Sequence, residues 1–179
     1  GKFQQAIDLL KDGINQFPKD ANMLALLSHC YILNDCLEEA ALRLDKAKSI
    51  DSNNALVGWN DVRILLKNNN VAEAVVVGRS TNKRFPDDVE GMGVLGSCLK
   101  ASNDIDESLV YLDKAIRLNP NYAEAMINRG LIRLTKEDKV GALADLETAH
   151  KLKPHIKQIW DLVISLKTEF EQFREAILL

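Results

Sequence analysis

The sequence predicts an all-α fold of antiparallel helix pairs, and three observations lead to this prediction. Pro86, Pro120 and Pro154 follow one another at a single constant spacing, and Pro18 lies two such periods before Pro86. Two series of small residues keep the same spacing. Each period also contains two segments whose apolar residues recur every three to four positions, as they do on one face of a helix. One period therefore encodes helix, turn, helix, turn.

The two series of small residues indicate where helices cross. The first series is Ala6, Ala40, Ala74, Ser108, Ala142 and Ala176, and the second is Gly13, Ala47, Thr81, Ala115 and Ala149. A side chain larger than alanine at a crossing would push the two helix backbones apart, and such overpacking costs about 1–3 kcal/mol. We therefore expect these small residues to be buried between helices.

The clearest helix pair is predicted at residues 123–136 and 140–152, where apolar residues keep helical spacing. Asn, Asp and Lys residues fill the turns between the segments. The prolines follow the second helix of a pair, where the missing N–H and the steric demand on the preceding residue stop a helix.

This pattern resembles the tetratricopeptide repeat family, whose 34-residue motif places Trp, Leu, Gly, Tyr, Ala, Phe and Pro at set positions. Leu24, Leu27, Tyr31 and Ala40 carry the resemblance in one repeat, and Gly130, Ala142, Leu146 and Pro154 carry it in another. Full repeats are predicted at 21–54, 55–88, 89–122 and 123–156, preceded by the second half of a repeat at 1–20 and followed by the start of a further one at 157–179. The resemblance covers residues 1–179 as a single array and implies a right-handed superhelical solenoid of antiparallel helix pairs.

The repeat at residues 55–88 departs most from the family pattern. Gly58 stands where the family places Trp, and a shift of one residue would bring Trp59 to that core position. Either the preceding loop has gained one residue and the turn at Asn68–Asn70 has lost one, so that Trp59 is in the core, or the frame holds and Trp59 faces the groove. The sequence leaves both interpretations open.

The ends of the chain fall inside repeats. Stacked repeats bury their faces against neighbours, so a natural end of an array carries an atypical cap with a polar outer side. Neither end has such a cap, since Gly1 falls between two helices and the sequence stops at the apolar residues Ile177, Leu178 and Leu179. We expect the chain to be a piece of a longer array and expect self-association through the uncovered ends.

Charge and hydropathy exclude two classes of partner. The formal net charge is -3, and no block of like charges provides a field that would hold nucleic acid. The longest stretch without a charged residue, 21–34, is shorter than the roughly 20 residues that a membrane-spanning helix needs. We expect no nucleic-acid partner and no membrane insertion, and the cytoplasm is the default location.

Few residues could support catalysis or hold a metal. His29, His150 and His155 do not approach the spacing of metal ligands, and no glycine-rich phosphate loop is present. Cys30 and Cys98 share repeat position 10, which favours a packing role. We therefore predict no enzymatic activity, no catalytic residues, no metal site and no cofactor.

The resemblance also implies a concave groove lined by the first helix of each repeat, at repeat positions 2, 5, 6, 9, 12 and 13. Candidate partner-binding residues at these positions are His29, Trp59, Asn60, Arg63, Lys67, Ser97, Lys100, Asn128 and Leu131.

Two features of the groove positions suggest how a partner is held. Asn60 and Asn128 share position 6, where a carboxamide can both donate to and accept from the backbone of an extended peptide. Arg63 and Lys67 lie one helical turn apart and, with Lys100, form a modest cationic spot for a carboxylate. The alternative is that these cations are ordinary solvated charges, balanced by Asp61 and Glu90.

The resemblance implies a protein-interaction scaffold that binds a peptide or a helix of a partner protein in this groove. An alternative is the substrate-recognition arm of a larger transferase, similar to the O-linked N-acetylglucosamine transferases, with the catalytic domain outside this chain. Family members that clamp a C-terminal carboxylate use lysine at position 5 and asparagine at position 9. Ala25 and His29, then Trp59 and Arg63, occupy those positions here, so this clamp is not expected.

Overall fold

The described part of the chain folds into ten α-helices joined by short turns. In the computed structural model the backbone is described for residues 2–177 and the side chains for residues 4–171. The helices are α1 (Lys2–Gln16), α2 (Ala21–Leu33), α3 (Leu37–Ile50), α4 (Ala55–Lys67), α5 (Val71–Arg84), α6 (Val89–Ala101), α7 (Ile105–Leu118), α8 (Ala123–Thr135), α9 (Lys139–Leu152) and α10 (Lys157–Ile177). The predicted all-α fold is confirmed. The predicted chain ends at Gly1, Leu178 and Leu179 lie outside the described residues, as does the side chain of Ala176.

The helices keep the spacing of the sequence period. The first helices of successive pairs begin at Ala21, Ala55, Val89, Ala123 and Lys157, and the second helices begin at Leu37, Val71, Ile105 and Lys139. Each of these starts lies one full period from the next in its series, and a short turn of constant length joins the two helices of each of the four complete pairs. No helix in the described part of the chain has both the length and the apolar composition that crossing a bilayer requires.

The turn between the two helices of a pair has a recurrent backbone conformation. Its middle residue is Asp35, Asn69, Asn103 or Glu137, with φ between 59° and 67°. This is the left-handed region, which Asn and Asp adopt more readily than other residues with a side chain. Asn or Asp in three of these turns, and Glu137 in the fourth, therefore reverse the chain without glycine.

Side-chain caps set the starts of three first helices in the same periodic way. Asp20 accepts a hydrogen bond from the Met23 N–H, Asn54 from the Val57 N–H and Asp88 from the Gly91 N–H. An Asp or Asn just before the first turn satisfies an N–H group that has no partner within the helix.

The small residues of the four full repeats lie where the sequence predicts them, whereas Ala6 and Gly13 of α1 are only half-buried. Ala40, Ala74, Ser108 and Ala142 are fully buried, and Ala47, Thr81, Ala115 and Ala149 of the second series are buried as well. Between α2 and α3 the Ser28 hydroxyl donates a 2.8 Å hydrogen bond to the Ala40 carbonyl, so the two helices approach closely at this crossing. A larger side chain at such a site has no room.

The chain divides into two compact units, residues 1–98 and residues 99–179, with the division inside α6. In the first unit, one apolar core includes Leu24 and Leu27 of α2, Leu44 of α3 and Val57 of α4. In the second unit, Leu146 of α9 packs with a row on α10 formed by Ile159, Val163 and Leu166.

The repeat at 55–88 keeps its frame, and yet Trp59 is in the core. The preceding loop and the turn at residues 68–70 have the same lengths as in the other repeats, so the predicted gain and loss of one residue is wrong. Trp59 does not face the groove either, since only 2% of it is exposed. Its indole lies over Gly91, where a Cβ atom would come within 2.2 Å of the ring, and its Nε1–H donates a 2.7 Å hydrogen bond to Asp88.

The segment after residue 156 forms one helix in the described region. α10 continues through residues 170–172, which correspond to the turn between the paired helices of the other repeats. Phe170, Glu171 and Gln172 occupy these positions. Glu171 corresponds to Glu137, which takes the left-handed conformation in the preceding turn, so the residue at this position does not by itself explain why the helix continues.

Leucine in place of Ala142 should lower the free energy of unfolding by about 1–3 kcal/mol, because this position is fully buried between α8 and α9. Gly130→Leu should have a similar effect, since a Cβ atom there would already lie 3.0 Å from Leu146 Cγ. Ala144→Leu is a matched control on the same helix, exposed two residues further on, and should change stability by less than about 0.5 kcal/mol. Urea unfolding followed by circular dichroism measures all three, and equal stabilities for Ala142→Leu and Ala144→Leu would contradict the assigned crossing.

Candidate partner-binding groove

An open groove of about 400 Å³ lies between α2 and α4 in the first unit. Ile32 and Leu33 of α2 and Arg63, Leu66 and Lys67 of α4 line it. In the repeat frame these residues stand at positions 9, 12 and 13, which are among the positions that the family resemblance assigns to the groove. The predicted candidates Arg63 and Lys67 therefore lie together on one wall of a real depression.

The surface of this groove is largely apolar. Leu33 is 54% exposed, Leu66 is half-buried, and Ile32 lies beneath them in the core. An exposed leucine beside further apolar groups is the kind of surface that gains free energy when a partner covers it. These three aliphatic residues occupy groove positions but are not among the nine predicted candidates.

His29 and Asn60 form a polar network beside the groove. The Asn60 amide Nδ2–H donates a 2.7 Å hydrogen bond to the Ala25 carbonyl, which fixes the orientation of the carboxamide. Its oxygen accepts a hydrogen bond from Arg63 Nη1 at 3.3 Å, and His29 Nδ1 lies 3.2 Å from the same oxygen. Because that oxygen is only an acceptor, His29 Nδ1 carries the proton and Nε2 is left as an acceptor.

Burial lowers the pKa of His29 below its ordinary value, and the positive charge of Arg63 lowers it further, while the hydrogen bond to Asn60 opposes both. The imidazole is therefore neutral at pH 7. His29 adds hydrogen-bonding capacity to this region but no positive charge.

Asn60 stands at repeat position 6, which predicts a side chain that faces the groove, but the structure places it elsewhere. It is fully buried, and both ends of its carboxamide are used within the protein. The prediction that its amide meets the backbone of a partner does not fit this geometry. Asn60 instead connects α4 to Ala25 and His29 of α2, and it holds Arg63 on its own helix.

Lys67 of the groove has an acidic partner on the surface. It donates a 2.7 Å hydrogen bond to the Asp35 carboxylate, and both side chains are largely exposed. Asp61, which the alternative interpretation named as a balancing charge, forms an ion pair with Lys48 at 2.8 Å. Exposed pairs of this kind contribute about 0–1 kcal/mol, so a partner could displace Asp35 from Lys67 at little cost.

The other candidates lie on α6 and α8. Ser97 is half-buried on α6 in the first unit. In the second unit, Lys100 Nζ donates a 2.6 Å hydrogen bond to the Asn128 side-chain oxygen, and Leu131 is half-buried one turn further along α8. Burial lowers the pKa of Lys100. Asn128, like Asn60, thus has a hydrogen-bond partner within the chain.

Two family models match the sequence, and both describe a tetratricopeptide repeat. One matches residues 1–58 and the other residues 94–155, so that together they cover more than half of the chain. The chain belongs to the tetratricopeptide repeat family. The search of curated proteins finds no matching relative.

Several solved structures share the fold. A tetratricopeptide repeat protein from Parabacteroides merdae superposes with a TM-score of 0.78 at 15% identity, covering 93% of this chain and 65% of that one. PilF of Pseudomonas aeruginosa gives a TM-score of 0.72 at 21% identity, over 99% of this chain and 81% of that one. YrrB, a tetratricopeptide repeat protein with an unusual peptide-binding site, gives 0.61 at 20% identity, over 93% and 84%. The chain thus spans just under two thirds of the Parabacteroides merdae protein.

The cysteines of this tetratricopeptide repeat protein have the environment of packing residues. Cys98 is fully buried, and burial raises the pKa of its thiol to about 11, which disfavours the reactive thiolate. Cys30, at the same repeat position, is half-buried, and burial raises its pKa as well. Within the part of the chain that the structure describes, no group of three or more His, Cys, Asp or Glu residues could hold a metal ion.

Proposed function

We propose that the chain is a protein-interaction module that binds an extended segment or a helix of a partner in the groove between α2 and α4. The tetratricopeptide fold supports a role as a protein-interaction scaffold in general. The observation that carries the more specific proposal is the groove itself, in which exposed Leu33 and half-buried Leu66 lie beside the cations Arg63 and Lys67.

The composition of the groove indicates what kind of segment it binds. Apolar surface supplies most of the affinity of a protein interface, while charges near its edge direct orientation and the rate of association. A segment with an aliphatic or aromatic side chain for Leu33 and Leu66 and a carboxylate for Lys67 fits this groove. A peptide-binding site in YrrB, which has the same fold, is consistent with this mode of binding.

The module acts by binding and has no catalytic role of its own in this proposal. The alternative role as the recognition arm of a transferase has less support. It depended on a row of asparagines in contact with substrate, whereas Asn60 is buried and Asn128 accepts a hydrogen bond from Lys100.

Reversing the charges of the groove with Arg63→Glu and Lys67→Glu should abolish capture of the protein that co-purifies with the intact chain. The change places two carboxylates beside the acidic group that the groove would hold, while leaving Leu33 and Leu66 in place. Affinity capture followed by mass spectrometry measures the loss, and circular dichroism should show unchanged helicity.

The matched control is Lys19→Glu with Lys83→Glu, which makes the same change in net charge at exposed positions of the same unit. A photocrosslinking residue at Leu33 should also label the partner, whereas the same residue at Val76, which is likewise exposed on α5, should not. Undiminished capture by the groove variant, or equal labelling from both positions, would place binding on another surface.

A further inference from the structure

A second cavity in the first unit has a cationic lining and lies apart from the groove residues. It has a volume of about 440 Å³ and is lined by Lys11, Ile14, Asn15, Pro18, Leu27, Arg43 and Lys46. These residues come from α1 and the loop after it, from α2 and from α3. The lining contains three cations and no carboxylate, and it shares no residue with the groove between α2 and α4.

The second unit has a cavity at the equivalent place in the repeat, and its lining includes a carboxylate, which the first cavity lacks. A cavity of about 580 Å³ is lined by Val110, Asp113, Ile116, Arg117 and Arg129. Three of these residues, Asp113, Ile116 and Arg129, stand three periods after Lys11, Ile14 and Leu27. The two cavities are therefore equivalent places in the repeat.

In the second unit the chain supplies its own carboxylates. Arg129 donates to Asp145 through Nε at 2.9 Å and through Nη2 at 2.6 Å, and to Asp113 through Nη1 at 2.7 Å. Arg133 adds a third hydrogen bond to Asp145 at 2.8 Å. Arg129 and Arg133 are therefore paired with carboxylates of the chain itself.

In the first unit the signs of these charges are changed. Lys11 stands in place of Asp113, Arg43 in place of Asp145 and Leu27 in place of Arg129. Cations thus occupy both positions from which carboxylates act in the second unit, and the arginine that neutralises them there is replaced by an apolar side chain. No carboxylate of the lining offsets the charge of Lys11, Arg43 and Lys46.

Arg43 also carries a polar atom that the described part of the chain does not satisfy. Its Nε is buried and has no hydrogen-bond acceptor among the described residues. A buried donor without an acceptor is unfavourable, and the guanidinium group is suited to a carboxylate that meets Nε and an Nη together. Arg129 shows this bidentate arrangement in the second unit.

We propose that this cationic cavity, formed by Lys11, Arg43 and Lys46 with Ile14 and Leu27, binds an acidic segment of a partner protein. A carboxylate of that segment takes the acceptor position at Arg43, in the role that the internal carboxylates play for Arg129. The apolar wall of Ile14 and Leu27 favours a segment in which acidic and aliphatic residues alternate. This site is separate from the groove and adds a second point of attachment.

The test uses a short acetylated and amidated peptide in which glutamate alternates with leucine, and a counterpart in which glutamine replaces each glutamate. Fluorescence anisotropy with the full chain should show binding of the glutamate peptide and binding at least about tenfold weaker for the glutamine peptide. Lys11→Gln with Arg43→Gln should weaken the glutamate peptide by about tenfold or more. Arg43→Lys, which keeps the charge but not the bidentate fork, should give an intermediate loss.

The control is Lys136→Gln with Lys157→Gln, which makes the same change in net charge at exposed ion pairs of the second unit and should leave the affinity of the glutamate peptide within about twofold. The proposed groove also suits an apolar side chain with a carboxylate, so the cavity variants are measured again in an Arg63→Gln, Lys67→Gln background. The tenfold loss should persist in that background, because the groove residues do not line the cavity. Thermal melting of every variant checks that it is folded.

Several outcomes would overturn the proposal. Equal binding of the two peptides would show that carboxylates are not recognised, and loss of binding only in the groove variant would place the acidic segment in the groove. Binding of inorganic phosphate at Arg43 without binding of the peptide would make the cavity a site for a free anion. Photocrosslinking from Leu33 reports on the groove separately, so failure of one site does not decide the other.

Discussion

Replacing Trp59 with alanine is expected to lower the free energy of unfolding by about 3–5 kcal/mol, among the largest effects of any single substitution in the first unit. The indole is 2% exposed, fills the space over Gly91 and donates a hydrogen bond to Asp88. Asp88 also caps α6 through the Gly91 N–H. The substitution would leave a large cavity between α4 and α6 and would remove one of the two contacts that hold the cap in place.

Trp160 provides a matched control, because it is the other tryptophan of the chain. It is 43% exposed and stacks on His150 with ring centroids 4.5 Å apart. Trp160→Ala should cost clearly less than Trp59→Ala, because a partly exposed side chain loses less buried apolar area and leaves no enclosed cavity. Urea unfolding followed by circular dichroism measures both variants. Similar losses for the two tryptophans would contradict the assignment of Trp59 to the core.

The period of the sequence is sufficient to predict where the helices begin. Ala21, Ala55, Val89, Ala123 and Lys157 open the predicted repeats and also open α2, α4, α6, α8 and α10. This succeeds because each helix pair is a local unit, set by turn residues, caps and small residues that recur with the chain. Burial of Ala40 and Ala142 follows from the same local pattern.

The position of Trp59 could not be predicted in this way, because it depends on a residue in the next repeat. Both interpretations of the sequence assumed that the frame alone decides whether this side chain faces the core. The indole is instead accommodated because Gly91, near the start of the following repeat, has no side chain. The tryptophan at residue 59 thus fits only because residue 91 is glycine. A single sequence does not show that these two residues are in contact.

The groove was predicted in outline, but the roles of its residues were not. Position in the repeat places Arg63 and Lys67 on the groove wall. It does not reveal that Asn60 turns inward to the Ala25 carbonyl, because that depends on the distance between the α2 and α4 backbones. The cationic cavity was also missed, although a comparison of Lys11 with Asp113 and of Arg43 with Asp145, three periods apart, carries the signal.

Replacing Asp145 with alanine is expected to lower the free energy of unfolding by about 3–5 kcal/mol, because it leaves the guanidinium groups of Arg129 and Arg133 without their shared acceptor. Asp145 is 5% exposed, and the arginines cannot relieve the loss by releasing a proton, because the ordinary pKa of arginine already lies far above neutral pH. Asp113 is the matched control, since it binds the same arginine from an exposed position, and Asp113→Ala should cost less than about 1 kcal/mol. Urea unfolding distinguishes the two. Equal costs would mean that burial does not set the strength of this network, and the equivalence between its carboxylates and the cations of the first unit would lose its physical basis.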